Sequence, residues 1–286
     1  FVDGKVRLKG DESGTSIVSI ETGGNFSMAL MSDGTVMAVG GNIKGQLGNG
    51  YALDQSSWVT SNITGVSSIS CGENHALALK NGTVWSVGLN SSGQLGIGNV
   101  ADVSNWTNSN LSGVSSIECG RFHSLALKTD GTVMSVGAND QGHLGIGNYT
   151  SQNTWQTSNI TGVSSITAGG FSSYALFTDG TVKVCGYNNE GQLGINSQTD
   201  QNDWVTSNIT GVSSIFAGYF HAIASLTNGN VMGVGKNNDG QLGLGQNGYV
   251  FDWVQLSITN VISAGLGSYH SLVLLDNGEI KSTGYN

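Results

Sequence analysis

Apolar and polar positions alternate along this chain in short runs separated by the same punctuation. The stretch HSLALK (123–128) is followed by Asp130-Gly131 and then by TVMSVG (132–137), which alternates again. Alternation with period two puts successive side chains on opposite faces, the mark of a half-buried strand. Two such runs about Asn-Gly or Asp-Gly predict a hairpin closed by a type I′ turn, with positive φ at both central residues. The signal occurs at Asp33-Gly34, Asn81-Gly82, Asp130-Gly131, Asp179-Gly180, Asn228-Gly229 and Asn277-Gly278. Runs of the GVSSI kind upstream predict a further strand. No segment sustains a 3.6-residue apolar period, so helices are not expected.

The runs belong to a repeat. Gly-x-Leu-Gly starts at Gly45, Gly93, Gly142, Gly191 and Gly240, in steps of 48, 49, 49 and 49. Trp58, Trp106, Trp155, Trp204 and Trp253 follow with the same steps. A unit of that length with three or four strands suits a propeller blade. The expectation is an all-β chain, a single β-propeller domain over residues 1–286. Six complete units and a partial N-terminal one, VDGKVRLKG (2–10), give six or seven blades. A linear solenoid would want capping repeats, and the terminal fragments look complementary instead.

The stretch GRFHSLALKTDGTVMSVGANDQGHLG (120–145) and its copies resemble the regulator-of-chromosome-condensation repeat over nearly the whole chain. The resemblance implies a β-propeller, usually of seven blades closed by the N-terminal strand. The chain departs from the pattern by lacking prolines after Gly-Gln-Leu-Gly and by ending in mid-repeat at STGYN. Members of that family include an exchange factor on chromatin, ubiquitin-ligase modules, photoreceptors and a secreted bacterial β-lactamase inhibitor. The short units here are most similar in style to the secreted bacterial kind.

Charge narrows the choice. Ten Lys and Arg stand against 19 Asp and Glu, a net charge of −9, with no basic run beyond KVRLK (5–9). Binding phosphate backbones needs cations to displace counterions, so nucleic acid is not an expected partner. No apolar run approaches membrane-spanning length, and insertion into a membrane is not expected. Forty-five glycines without a proline imply a chain rich in turns. The chain starts at Phe1, which suggests processing or truncation. Low charge and abundant Ser, Thr and Asn suggest a secreted, cell-surface or virion protein. Asn-x-Ser/Thr sites at Asn25, Asn62, Asn81, Asn90, Asn105, Asn110, Asn148, Asn159 and Asn208 lend weak support. Cys71 and Cys119 share a repeat position with Ala168 and Ala217, so they and Cys185 read as small buried residues rather than a disulfide.

Candidate chemistry is sparse. His75, His123, His221 and His270 recur at one position, replaced by Ser27 and Ser172 in two units; they are expected to hold neighbouring blades together. His143 replaces the Gln of Gly-Gln-Leu-Gly and is expected to be a solvated turn variant. Asn/Asp-rich loops before Gly-x-Leu-Gly hint at calcium, but Lys44 in one copy favours plain turns. The tryptophans are expected to pack between blades. No catalytic constellation, cofactor or metal site is expected. The position pairs Asn25-Phe26, Glu73-Asn74, Arg121-Phe122, Gly170-Phe171, Tyr219-Phe220 and Ser268-Tyr269 vary inside a constant frame. Equivalent loops share a face, so Phe26, Phe122, Phe171, Phe220 and Tyr269, with Arg121 and Tyr219, are the candidate surface for a protein or glycan. The loops around Tyr51, Tyr149, Tyr249 and Phe251 are a second candidate.

Overall fold

The computed structural model describes residues 14–285; the strand expected from residues 2–10 lies outside them. Every regular element among the described residues is a strand. They form six sheets, at 17–60, 68–112, 114–157, 163–206, 212–259 and 261–284. The first five have four strands each and the sixth has three, joined in chain order. The fourth sheet is representative, with strands Val163–Ala168, Ser172–Phe177, Val182–Gly186 and Gln201–Thr206. Its registers pair Tyr174 with Val184 and Val184 with Val205 in antiparallel fashion. These are the blade sheets of a β-propeller.

Two compact units share the sheets. Among the described residues, one holds 14–129 with Met134–Ala138 and Ser151–Gln156; the other holds Asp130–Val133, Asn139–Thr150 and 157–285. In the first unit Met28, Leu30 and Val36 of the first sheet pack on Ile69 and Trp106 of the second and on Val66 just before it. In the second unit Tyr174, Leu176 and Val182 meet Val212, Ile215 and Trp253 in the same way. Each such aliphatic side chain contributes about 1.5–3 kcal/mol on leaving water. Sheet-on-sheet burial therefore carries each unit.

The hairpins depart from expectation in five of six copies. Only Asn81-Gly82 has positive φ at both central residues, 51° and 69°, as a two-residue type I′ turn requires. The other turns have positive φ at the glycine alone. Ser32, Thr129, Thr178, Thr227 or Asp276 precedes the Asx-Gly there, and this extra residue makes a three-residue loop with glycine in the left-handed position. At Gly34 the amide donates to Met31 O, 2.9 Å, and Asp33 Oδ1 accepts from Thr35 N, 2.9 Å. The missing residue before Asn81 also accounts for the single 48-residue step.

Candidate functional site

Each sheet has a Gly-x-x loop between its first and second strands, and the glycine is sterically required. A Cβ at Gly72 would lie 2.2 Å from the His75 ring and 2.5 Å from the Gly120 carbonyl. These loops are stitched to their neighbours by backbone hydrogen bonds. Gly24 N donates to Glu73 O (3.0 Å) and Glu73 N to Arg121 O (3.3 Å) in the first unit. Gly170 N donates to Gly218 O (3.1 Å) and Tyr219 N to Gly267 O (3.4 Å) in the second. The loops are thus held as fixed platforms.

Beneath them the histidines do the structural work expected. His75, His123 and His221 are fully buried. His75 Nε2 lies 3.0 Å from Ser124 Oγ, whose hydroxyl donates to Gln94 O at 2.8 Å. His221, Ser271 and Gln241 O repeat this at 2.8 and 2.7 Å. Since the serine proton is committed to the carbonyl, the imidazole must donate through Nε2–H, a tautomer inferred from the network. Burial pulls both histidines down to about 4, so they are neutral at ordinary pH. His270 is exposed and departs from the set.

Phe26 lies opposite Gly40, as His75 lies opposite Gly88, so Phe26 takes the histidine place and Ser27 the next one. Phe26 is buried, 4% exposed, with its ring over Gly23. It therefore lies beneath the loop surface, and Asn25 stands at the loop tip instead. His143 is also buried, because the Gly-x-Leu-Gly loop turns its second residue inward, as it does Gln46, Gln94, Gln192 and Gln241. Its carbonyl accepts from Ser173 Oγ at 2.7 Å.

The remaining candidates fall into two groups. In the first unit Arg121 sits 5.0 Å from the Phe122 ring centroid, with Nε 3.5 Å from Glu73 Oε2. In the second unit Phe171, Tyr219 and Phe220 pack ring to ring at 6.2–6.5 Å, joined by Tyr187 at 6.2 Å from Phe171 and 6.3 Å from Phe220. Lys236 Nζ bridges the Phe220 and Tyr269 rings, 5.7 and 4.6 Å from their centroids, and pairs with Asp239 at 3.7 Å. Phe171, Tyr187, Tyr219, Phe220 and Lys236 are half-buried, and Tyr269 is exposed. Such a platform offers apolar area and a cation on side chains with little rotamer freedom left to lose.

Tyr187 and Lys236 were not in the sequence set. Each follows a glycine at the end of a third strand, Gly186 and Gly235, with Lys236 the last residue of its strand, and their amides donate to Phe171 O (2.9 Å) and Phe220 O (2.8 Å). Alignment of that Gly-x-Asn position beside the Gly-x-x pair would have found them. The asparagine after it is the loop's internal brace. Asn42 Oδ1 accepts from Leu47 N at 2.9 Å while Nδ2 donates to Tyr51 O and Leu53 O, both at 3.0 Å. Asp54, Asp102 and Asp200 accept from Asn42, Asn90 and Asn188 amides at 2.7–2.8 Å, so those loop acids are structural. The turn reading of these loops fits this bracing, and no group of three or more His, Cys, Asp or Glu able to hold a metal occurs among the described residues. Tyr51, Tyr149 and Tyr249 are exposed, with Tyr249 stacked on Phe251 at 6.2 Å.

Sequence reading also missed a half-buried acidic pair in the first unit. Glu21 and Glu118 share a repeat position, and burial raises them to about 7 and about 8, with Glu21 further raising Glu118. Cys71 and Cys119 follow at the equivalent next position; all three cysteines are free thiols, and burial raises each.

Comparison with known proteins gives one consistent result. The regulator of chromosome condensation (RCC1) repeat matches residues 17–46, 66–94, 114–142, 163–192 and 212–241, and a second description of that repeat matches 81–127. No curated protein matches the chain. Among solved structures, human WBSCR16 is 24% identical with a TM-score of 0.84, covering 95% of this chain and 75% of that one. Yeast RCC1 (Prp20), solved bound to Kap60, is 22% identical with a TM-score of 0.79, covering 95% and 66%. Prp20p from Saccharomyces cerevisiae, described with its binding properties to Gsp1p and histones, gives 22% and 0.80, covering 95% and 69%. At these identities the likeness carries the fold.

Proposed function

The chain belongs to the regulator of chromosome condensation repeat family, and from that premise we propose that it is a non-catalytic protein-binding propeller. The observation that carries this reading is the aromatic platform of Phe171, Tyr187, Tyr219, Phe220 and Tyr269 with Lys236, mounted on loops stitched by backbone hydrogen bonds. Clustered rings around a cation, surrounded by polar loops, have the makeup of an interface hot spot. Prp20p, of the same fold, is described with protein ligands, which supports a protein over a glycan. Ten cations against 19 acids support a partner other than nucleic acid. We place the protein outside the cell or on a particle surface. The exposed Asn-x-Ser/Thr sites at Asn62, Asn110, Asn159 and Asn208 support this; Asn90 is buried and cannot carry a glycan as folded.

The test uses proteins captured from the native source, then purified and titrated. A Phe220→Ala, Tyr269→Ala double variant is expected to stay folded and bind at least tenfold worse, a loss of about 1.4 kcal/mol or more. A Tyr51→Ala, Tyr149→Ala control is expected to bind like the parent. The reverse pattern would move the site to the second set of loops. Accelerated nucleotide release from a small GTPase would favour an exchange factor instead.

A further inference from the structure

Asparagine followed by glycine is a reactive step, because the glycine amide meets little steric hindrance when it turns on the asparagine side chain. The chain has it five times, at Asn49-Gly50, Asn81-Gly82, Asn228-Gly229, Asn247-Gly248 and Asn277-Gly278. The fold treats the five unequally. The Gly229 amide donates to Leu226 O at 3.0 Å, and Asn228 Oδ1 accepts from Asn230 N at 3.0 Å. Asn277-Gly278 repeats this, with Gly278 N donating to Leu275 O at 3.0 Å and Asn277 Oδ1 accepting from Glu279 N at 2.9 Å. The Gly50 amide donates to Ser104 O at 2.9 Å. Asn49 Oδ1 accepts from Asn42 Nδ2 and from Tyr51 N, both at 3.2 Å. In these three steps the attacking nitrogen and the carboxamide it would attack are both committed.

Asn81-Gly82 is the exception among the hairpins. Its two-residue type I′ turn lacks the extra residue that lets the glycine amide of the other hairpins reach back to the strand. Among the described residues neither the Gly82 amide nor the Asn81 carboxamide has a hydrogen-bond partner, and Asn81 is exposed. Asn247-Gly248, just before the strand Tyr249–Thr259, is likewise unbonded among the described residues, with Asn247 exposed. Attack at the other three must first break structural hydrogen bonds; at these two it need not.

We propose that Asn81 and Asn247 are sites of spontaneous deamidation, while the fold protects Asn49, Asn228 and Asn277. The deprotonated amide nitrogen of Gly82 or Gly248 attacks Cγ of the asparagine before it. The new N–Cγ bond closes a five-membered succinimide as the Cγ–Nδ2 bond breaks, and the side-chain nitrogen leaves as ammonia. Solvent water then opens the ring at either carbonyl, giving aspartate or isoaspartate. Isoaspartate routes the main chain through Cβ and lengthens the turn by one carbon. At Asn81 that change acts on a joint between sheets, because the Gly82 carbonyl accepts from Val114 N, the first residue of the third sheet, at 3.0 Å. Each event also adds a negative charge to a chain already at −9.

The test incubates the full chain at mildly alkaline pH, once folded and once in denaturant. Peptide mass spectrometry then reads the conversion at each asparagine, and isoaspartyl methyltransferase labelling reads isoaspartate. In the folded chain Asn81 and Asn247 are expected to convert about tenfold faster than Asn49, Asn228 and Asn277, the factor that one net hydrogen bond supplies. In denaturant all five are expected to convert at similar rates, since the reactive pair is the same. Inserting a threonine between Lys80 and Asn81 gives that hairpin the three-residue loop of the others. The insertion is expected to slow Asn81 to the rate of Asn228. A folded-chain rate at Asn81 or Asn247 no higher than at the protected three would overturn the proposal, as would the same ranking persisting in denaturant. Asn81 unslowed in a folded insertion variant would overturn it too. If that variant fails to fold by circular dichroism, the folded and denatured comparison on the parent chain decides.

Discussion

Buried histidines and half-buried glutamates give single residues opposite effects on stability. His75 and His221 have folded values near 4, against about 6.5 when unfolded. Their neutral forms are favoured by folding, so that stability is complete above about pH 6.5 and is lost as pH falls towards 4. The melting temperature is expected to drop across that window, and a His75→Asn, His221→Asn variant is expected to show a shallower drop in differential scanning calorimetry. Glu21 and Glu118 behave in reverse: their raised values, about 7 and 8, mean the protonated forms suit the fold. Their contribution is complete below about pH 4.5 and is lost as pH rises through 7 and 8. Glu118→Gln is therefore expected to raise the melting temperature at pH 8.5 and leave it nearly unchanged at pH 4.5. An equal shift at both pH values would mean that packing, not charge, dominates there.

At the scale of the element, the contact between a loop glycine and the next outer strand is the repeat's main joint. Gly145 and Gly243 both have positive φ, +62° and +65°, so alanine strains the backbone similarly at each. Only at Gly145 would the new Cβ also strike an indole, that of Trp204. Overpacking of that kind costs about 1–3 kcal/mol. Gly145→Ala is expected to be less stable than Gly243→Ala by that amount in urea unfolding. Equal losses would show that backbone strain, not the tryptophan seat, sets the cost.

The whole molecule is expected to unfold as one. The chain passes between the two compact units five times, and two of those crossings, at Val133/Met134 and Gln156/Thr157, fall inside strands of the third sheet. A chain cut within a hydrogen-bonded strand has no independent boundary there, so calorimetry is expected to show one transition. Two transitions would contradict the single-domain expectation. At this scale the negative charge also favours solubility over association with acidic surfaces.

Repeat length, strand number, hairpin positions and the inward place of His75, His123, His221, Trp106, Trp204 and Trp253 were legible in the sequence, because each depends on spacing and on period-two alternation. The 48-residue step was legible too, though its cause, one residue fewer before Asn81, emerged only with the turn geometry. Backbone register decided the rest. A shift of one residue turns every side chain to the opposite face, and so Phe26 entered the core while Asn25 took the loop tip. His143 was turned inward by a loop whose polar groups are braced by asparagine, which composition cannot foresee. The joining of Tyr187 and Lys236 to the aromatic platform depends on residues far apart in sequence meeting across strands and sheets. Periodicity determines which side of a strand is buried; only the packed structure decides what stands opposite it.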